Sequence, residues 1–284
     1  MSRGKIYSIN CGGRILTTEK PIVMGILNVT PDSFFDGGKY FGSVDTIRRR
    51  ADQIIEEGAQ IIDIGAYSTR PGAADVSPEE EWRRLGEALD IVKKHHPDAI
   101  ISVDTFRGEV ARKCVANGAH IINDISAYEM DPDMLPAITD LRVPYILMHI
   151  KGVPLTMQND PKYDGRATRE VVTVLSEKVN ELTKNGVADI IIDPGFGFGK
   201  TLDDNYQILA DLPTFRIFDR PVLVGISHKS MIYKAIGGTP QTSGNGTTVL
   251  NTIALLGGAD ILRVHDVKEC VETVQLIEML QKNS

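Results

Sequence analysis

The chain is poor in cysteine. Cys11, Cys114 and Cys270 are odd in number, far apart, and form no C-x-x-C pair. That pattern argues against a disulfide framework and against a zinc knuckle. Long apolar runs are missing too: none approaches the ~18 residues a membrane-spanning helix needs, and residues 1–10 lack a charged-then-apolar leader. These absences together predict a protein of the reducing cytoplasm. There is no extended basic tract. The densest cluster, Arg48-Arg49-Arg50, lies in a stretch of helical period and reads as a solvated helix face. With a net charge of -7 and a pI near 5.4, a nucleic-acid partner is disfavoured. No G-x-G-x-x-G follows the first strand-like run, which weakens a dinucleotide-binding reading. Linkers, low-complexity tracts and repeats larger than one strand–helix unit are absent as well.

What is present is an ordinary globular composition. Hydrophobic residues make up 42% and charged residues 24%, with a mean hydropathy of -0.10, so a sizeable core can form. Short apolar, β-branched runs recur at 21–29, 60–65, 99–105, 120–125, 144–150, 189–194, 221–226 and 259–264. Each is apolar on both faces, as a parallel strand covered on both sides must be. Stretches of helical period lie between them, at 43–57, after Ser77-Pro78-Glu79-Glu80, at about 166–184 and at 267–281. Ser77 has the chemistry of an N-cap, with Pro at the first helical position and Glu three residues after the cap. Asn185-Gly186 supplies a helix stop. Eight strands alternating with helices predict a single-domain α/β chain over 1–284, a (β/α)8 TIM barrel. The opening segment, 6–19, has Cys11-Gly12-Gly13 between two strand-like halves. It predicts an N-terminal β-hairpin covering the barrel's bottom.

The residues at the carboxyl ends of these runs carry the functional signal. In order they are Asn28, Asp63, Asp104, Asn123, His149, Asp193, Ser227 to Ser230, then Arg263 and His265. One such Asp could be a helix cap or loop anchor. Eight polar strand ends at one level form the rim on which barrel active sites are built. Two carboxylates and an amide (Asp104, Asp193, Asn123) inside an apolar barrel need donor-rich partners, because a lone buried carboxylate is costly. A flat heterocycle with an amino-pyrimidinone edge offers such donors. Asn28, Arg263, His265 and a helix N-terminus at 244–247 could hold a phosphate-like anion. Lys229 sits in a cationic hydroxyl cluster with Ser227, His228 and Ser230. Two long punctuated loops, 30–42 and 66–76, complete the rim. Phe34 and Phe35 in the first suggest a lid.

The motifs resemble those of the dihydropteroate synthase family of pterin-binding barrels. Asn28-Val29-Thr30-Pro31-Asp32-Ser33-Phe34 is similar to the family's first signature and Ser68-Thr69-Arg70-Pro71-Gly72 to the second. Ser102-Val103-Asp104-Thr105, Ile122-Asn123-Asp124-Ile125-Ser126, Leu147-Met148-His149 and Asp193-Pro194-Gly195-Phe196-Gly197-Phe198-Gly199-Lys200 follow in family order. The Lys229-Ser230 pair and Arg263-Val264-His265-Asp266 close the series. The resemblance runs from about 21 to 282.

It implies a folate-biosynthesis reaction in which 4-aminobenzoate displaces diphosphate from hydroxymethyl-dihydropterin diphosphate. Asp104, Lys229, Arg263 and His265 would be catalytic. Asp104, Asn123 and Asp193 would read the pterin edge, with Met148 packed on the ring and Lys229 bonded to it. Asn28, Thr69, Arg70, Arg263 and His265 would hold the diphosphate, and Asn28 would also touch a Mg²⁺ cofactor. Thr69, Arg70, Pro71, Phe198, Lys229 and Ser230 would surround the aminobenzoate, while Phe34 and Asp36 would belong to the mobile lid. A homodimer through the later helices and competition by sulfonamides are implied as well. With no base–nucleophile pair evident, a dissociative substitution without a covalent enzyme intermediate is expected.

Two positions depart from the family pattern: His228 stands where Arg is common, and Ala66-Tyr67 where Gly-Glu is frequent. His228 makes the local charge depend on pH near neutrality. Two rivals remain in view. A methyltransferase barrel serving a corrinoid protein would share the Asp/Asn pocket but would not need the 30–42 and 68–71 loops, both intact here. A non-catalytic pteroate-binding paralogue would be expected to lack Asp104, Lys229 or Arg263, and all three are present.

Overall fold

The computed structural model describes residues 5–30, 44–67, 76–153, 156–157 and 161–283. The chain opens with β1 (Ser8–Cys11) and β2 (Arg14–Thr17), an antiparallel pair. Gly12 and Gly13 make its turn with φ of 62° and 89°, the two successive left-handed residues that a two-residue hairpin loop favours.

Strands and helices then alternate: β3 (Ile22–Asn28), α1 (Val44–Glu56), β4 (Ile61–Gly65), α2 (Pro78–His95), β5 (Ile100–Asp104), α3 (Gly108–Ala116), β6 (Ile121–Asp124), α4 (Met134–Leu141) and β7 (Tyr145–Met148). The second half comprises α5 (Ala167–Lys184), β8 (Ile190–Asp193), α6 (Leu202–Ala210), β9 (Leu223–Val224), α7 (Ser230–Ile236), α8 (Gly244–Leu256), β10 (Ile261–Val264) and α9 (Val267–Lys282). Strands β3 to β10 form one parallel sheet in the order β8-β7-β6-β5-β4-β3-β10-β9. A parallel bridge between Ile192 and Val222 joins its two ends, and the Ile192 N–H donates to the Pro221 carbonyl at 2.9 Å. This is the (β/α)8 barrel with an N-terminal hairpin that the sequence predicts.

The run at 221–226 gives only the two-residue β9. Pro221 has no N–H for the ladder, and the Ile226 carbonyl already accepts a turn bond from the Lys229 N–H at 3.0 Å. The Ser77 cap forms as expected, its Oγ accepting from the Glu80 N–H at 3.3 Å. The return half of the capping box gives way to charge pairing, since Glu80 accepts instead from Arg83 and Arg84, each through Nε at 2.7 Å. Helix α5 stops at Asn185, and Gly186 follows with φ 82°. Among the described residues no helix is long and apolar enough to cross a membrane.

Strand side chains alternate between two environments. Val23, Ile62, Val103 and Ile122 face outward and join the core shared with the helices. Met24, Ile61, Ile121, Ile146, Ile191 and Ile261 face inward and form a separate apolar cluster. Ile9 and Cys11 of the hairpin belong to that inner cluster, so β1 closes the amino-terminal end of the barrel. An apolar floor therefore supports the polar groups one step further along each strand.

Gly25 shows how closely the helices approach. A Cβ there would lie 2.6 Å from Ile54 Cγ2 and 2.9 Å from Val267 Cγ2, so α1 and α9 pack on β3 where a side chain would stand. Gly25→Ala should destabilise the protein by about 1–3 kcal/mol through overpacking. The measurement is a lower urea midpoint at an unchanged denaturant slope.

Candidate active site

The pocket is built by the inward positions above the apolar floor. Strand register sets Asn28 opposite Gly65 and Asp63 opposite Ser102. It also sets Asp104 opposite Asn123, and Met148 opposite Asp193. The expected pterin-reading set, Asp104, Asn123, Met148 and Asp193, thus comes from four consecutive strands at one level. Arg263 reaches this group from β10. Its Nε donates to Asp63 Oδ2 at 2.6 Å and its Nη2 to Asp104 Oδ2 at 2.8 Å. Asn123 Nδ2 donates to the same Asp63 oxygen at 3.3 Å. Asp63 is fully buried, whereas the Asp104 side chain keeps 22% exposure and faces the mouth.

Charge in this pocket follows from burial and pairing. Burial holds Asp104 above the usual carboxylate range, up to about 7, against the pull of Arg263 and helped by Asp63. Asp193 is raised by burial too, with Lys229 opposing, and its Oδ1 accepts the Gly195 N–H at 2.7 Å. Burial works against the charge on Arg263, but Asp63 and Asp104 outweigh it and raise its pKa. Burial lowers Lys229 to about 8, Asp193 pulling the other way. The Lys229 ammonium donates to the Phe196 carbonyl at 2.5 Å and lies 4.7 Å from the centre of the Phe198 ring.

His265 differs from the cation that diphosphate neutralisation suggests. Burial, then Arg263 and His228, push its pKa down to about 3, so it is a neutral hydrogen-bonding group. The His265 backbone N–H donates to Ser227 Oγ at 3.2 Å. The neighbouring His228 takes φ 55°. Its Nε2 is 2.6 Å from Asp266 Oδ2, and its Nδ1 is 2.8 Å from the Pro240 carbonyl. Nδ1 also lies 2.9 Å from Ser243 Oγ, and with a carboxylate and a carbonyl as acceptors these surroundings favour the charged ring. Its pKa is raised accordingly, chiefly by the bond to Asp266. The surroundings of His228 thus favour a positive charge where the family commonly has Arg, 5.8 Å from the His265 ring.

The Phe196–Phe198 segment follows β8 in a turn whose glycines are required. Gly195 and Gly199 have φ of 72° and 62°. A Cβ on them would stand 1.9 Å from the His149 carbonyl and 2.1 Å from the Lys151 carbonyl. Ser230, at the start of α7, opens on a cavity of about 240 Å³ between α6 and α7, lined also by Lys200, Asn205 and Met231. Asn28 is half-buried at the rim of β3, its Oδ1 beside the empty Cβ position of Gly65. Phe34, Asp36, Thr69, Arg70 and Pro71 lie outside the described residues. The ends of the second loop are described. Arg107 donates to the Val76 carbonyl at 2.7 Å and pairs with the buried Glu81. Tyr67, in the place of the frequent Glu, packs edge-on against Phe106 at 5.2 Å.

Three residues acquire a place that sequence reasoning gave them differently or not at all. Arg50 is not simply part of a solvated face. It donates through Nη2 to the His265 carbonyl at 2.6 Å and through Nε to the Ile26 carbonyl at 3.3 Å, bracing the ends of β10 and β3. The available signal was its position three and four residues from the buried Ile47 and Ile54. His149, grouped with the rim from sequence, is buried under the glycine turn, where burial and Lys200 drive its pKa down to about 2. Lys200 is buried beside it, its Nζ 3.0 Å from His149 Nδ1. A lysine ending a glycine-rich run was the only hint.

Comparison with known proteins agrees with this arrangement. Residues 24–265 match the family model described as pterin binding enzyme. The dihydropteroate synthase of Escherichia coli K12 is 44% identical over 268 residues, covering 94% of each chain. The crystal structure of the Yersinia pestis dihydropteroate synthase with a sulfonamide drug aligns with a TM-score of 0.92 at 39% identity, over 97% of this chain and 100% of that one. The Xanthomonas albilineans dihydropteroate synthase in complex with 7,8-dihydropteroate aligns with a TM-score of 0.85 at 37% identity, over 97% and 99%. Family signatures in order, near-complete coverage and a shared barrel have one consequence: the chain belongs to the dihydropteroate synthase family of pterin-binding enzymes.

Proposed function

We propose that this chain condenses (7,8-dihydropterin-6-yl)methyl diphosphate with 4-aminobenzoate to give 7,8-dihydropteroate and diphosphate. The observation that carries the reading is the row of acceptors Asp104, Asn123 and Asp193 on β5, β6 and β8, with Arg263 and Lys229 set among them. The pterin presents adjacent N–H donors to such a row, and Met148 supplies an apolar surface for the ring. Arg263, already charged and anchored by Asp63, neutralises the leaving diphosphate together with hydrogen bonds from His265. The methylene C–O bond breaks with its electron pair going to diphosphate. The electron-rich pterin and the negative Asp104 stabilise the cationic methylene, the amine nitrogen of 4-aminobenzoate adds to it, and the amine releases a proton. Lys229, Phe198 and Ser230 hold the aminobenzoate, together with Thr69, Arg70 and Pro71. Phe34 and Asp36 are assigned to the lid.

A Mg²⁺ ion is compatible with this donor set. Among the described residues no group of three or more His, Cys, Asp or Glu could hold a metal alone. Asn28 offers one hard amide oxygen beside the open Gly65 position, and Mg²⁺ is commonly held by few protein oxygens plus substrate phosphates and water. Bound there, it would neutralise leaving-group charge. Sulfonamides, which resemble 4-aminobenzoate, would compete for the second substrate's place. The three cysteines are buried free thiols, in keeping with the cytoplasm.

The later helices support a homodimer. Ile253 of α8 and Leu276 of α9 keep 42% and 71% exposure, and Leu256, Met279 and Leu280 are exposed on the same two helices. α8 and α9 pack side by side, and a continuous apolar surface of this kind favours association.

Three measurements test these readings. Purified protein given the pterin diphosphate, 4-aminobenzoate and Mg²⁺ should form dihydropteroate with one diphosphate released per turnover, and Asp193→Asn should lower kcat/KM about 100-fold. Ligand binding without turnover would instead favour a non-catalytic role. Second, a carboxyl raised to about 7 is neutral below that pH and ionised above it. The rate constant kcat/KM should therefore climb as pH rises through about 7, and Asp104→Asn should flatten that limb. Third, sedimentation should give twice the 31.2 kDa chain mass, and the pair Ile253→Glu with Leu276→Glu should shift it to the monomer.

A further inference from the structure

Lys200 is nearly fully buried, at 3% exposure. Its Nζ lies 2.8 Å from the Gly195 carbonyl, 3.0 Å from the Phe198 carbonyl, 3.2 Å from the His149 carbonyl and 3.0 Å from His149 Nδ1. All four acceptors lie in the 195–199 turn or at the exit of β7. The turn rests directly on that exit, since Cβ positions of Gly195 and Gly199 fall about on the carbonyls of His149 and Lys151. Backbone packed on backbone this closely brings carbonyl oxygens together in a buried place, where they need donors. The Lys200 amino group supplies them, with burial lowering its pKa to about 7. Its hydrogen bonds go to the turn and the exit of β7, and not to Asp104, Asn123 or Asp193. What it holds is the turn that carries the Phe196 carbonyl, 2.5 Å from Lys229 Nζ, and the Phe198 ring over the same ammonium. A second tie acts on the same turn. Asn205 Oδ1 accepts the Gly197 N–H at 2.7 Å, and its Nδ2 donates to the Thr201 carbonyl at 2.6 Å.

We propose that Lys200 is a positioning residue for the second substrate: its buried amino group fixes the 195–199 turn and through it sets Phe198 and Lys229 where the aminobenzoate ring enters. The proposal rests on the reaction proposed above. Its consequence is selective. Asp104 and Asn123 sit on strands clear of the turn and Asp193 is held by β8 even though its Oδ1 also accepts the Gly195 N–H, whereas Phe198 lies on the turn itself and Lys229 bonds to it. A role in overall stability alone would weaken both substrates together or neither.

The test uses the full chain with Lys200→Met, which keeps the apolar stem and removes the donors. It also uses Asn205→Leu, which removes the tie to Gly197 and loosens the same turn while keeping the Lys200 and Lys229 side chains unsubstituted. Calorimetry reads binding of the pterin, and then of 4-aminobenzoate to protein loaded with pterin and diphosphate. Steady-state kinetics read KM for 4-aminobenzoate against kcat. Both variants should bind 4-aminobenzoate at least about tenfold more weakly, with KM rising in step, kcat within about threefold and pterin affinity within about threefold. In a Phe198→Ala background, Lys200→Met should add less, because the effect passes through that ring. Unchanged aminobenzoate affinity in the folded variants would overturn the proposal, as would an equal loss for both ligands. Should Lys200→Met fail to fold, Asn205→Leu decides between these outcomes by the same criteria. A wild-type chain that binds both ligands without turnover would remove the synthase reading but leave this test standing, because affinity is its readout.

Discussion

Arg263 enters the barrel from β10 and ends between two carboxylates, Asp63 and Asp104. Much of the pocket depends on that arrangement. Each carboxylate, taken from water alone, would cost several kcal/mol. With the guanidinium between them, both can be kept beside an apolar floor, and Asn123 is drawn to the shared Asp63 oxygen. Removing one partner of such a buried pair typically costs about 3–5 kcal/mol. The pocket therefore carries its cation as a structural member before any ligand arrives. The same guanidinium helps to keep His265 neutral, so the pair offers one fixed charge and one hydrogen-bonding imidazole.

The barrel reaches this state by layering along each strand. On β4, β5, β6, β8 and β10 an apolar inward residue is followed by a polar one, so the hairpin and the inner isoleucines exclude water from below while Asp104 faces the mouth. The outward residues bind the helices, closely enough at Gly25 that no side chain fits. Helix packing and pocket geometry are thus two faces of the same short strands. Away from the strands the rim is built from turns, and turns need ties: Lys200 and Asn205 under the glycine turn, Arg107 and Glu81 at the end of the 66–76 loop, His228 and Asp266 beyond β9.

Much of this was legible in the sequence. Two-sided apolar runs gave the strands, because parallel strands covered on both faces have no polar side to show. Gly12-Gly13 gave the hairpin turn. Asn28, Asp104, Asn123, Asp193 and Arg263 stood out because polar groups ending apolar runs have a common address in a barrel. Lys229 followed from its place after the seventh run. Other residues misled or stayed silent. Arg50 looked like one more surface arginine, since charge clustering says nothing of which member of a triplet turns inward. His149 looked like a rim residue because its strand ends there, yet the next strand's turn folds over it.

The sequence by itself determined which residues stand at the carboxyl ends of the strands and the parity of every inward position, since alternation along a strand is a local property of the backbone. Only the tertiary structure decided how those residues pair. Arg263 meets Asp63 across 200 positions of chain and Lys200 meets His149 across 51. Whether His265 is charged, or Asp104 is held near neutrality, depends on burial and on neighbours brought in by other strands. Those are sums over distance and desolvation in space, and no spacing along the chain contains them.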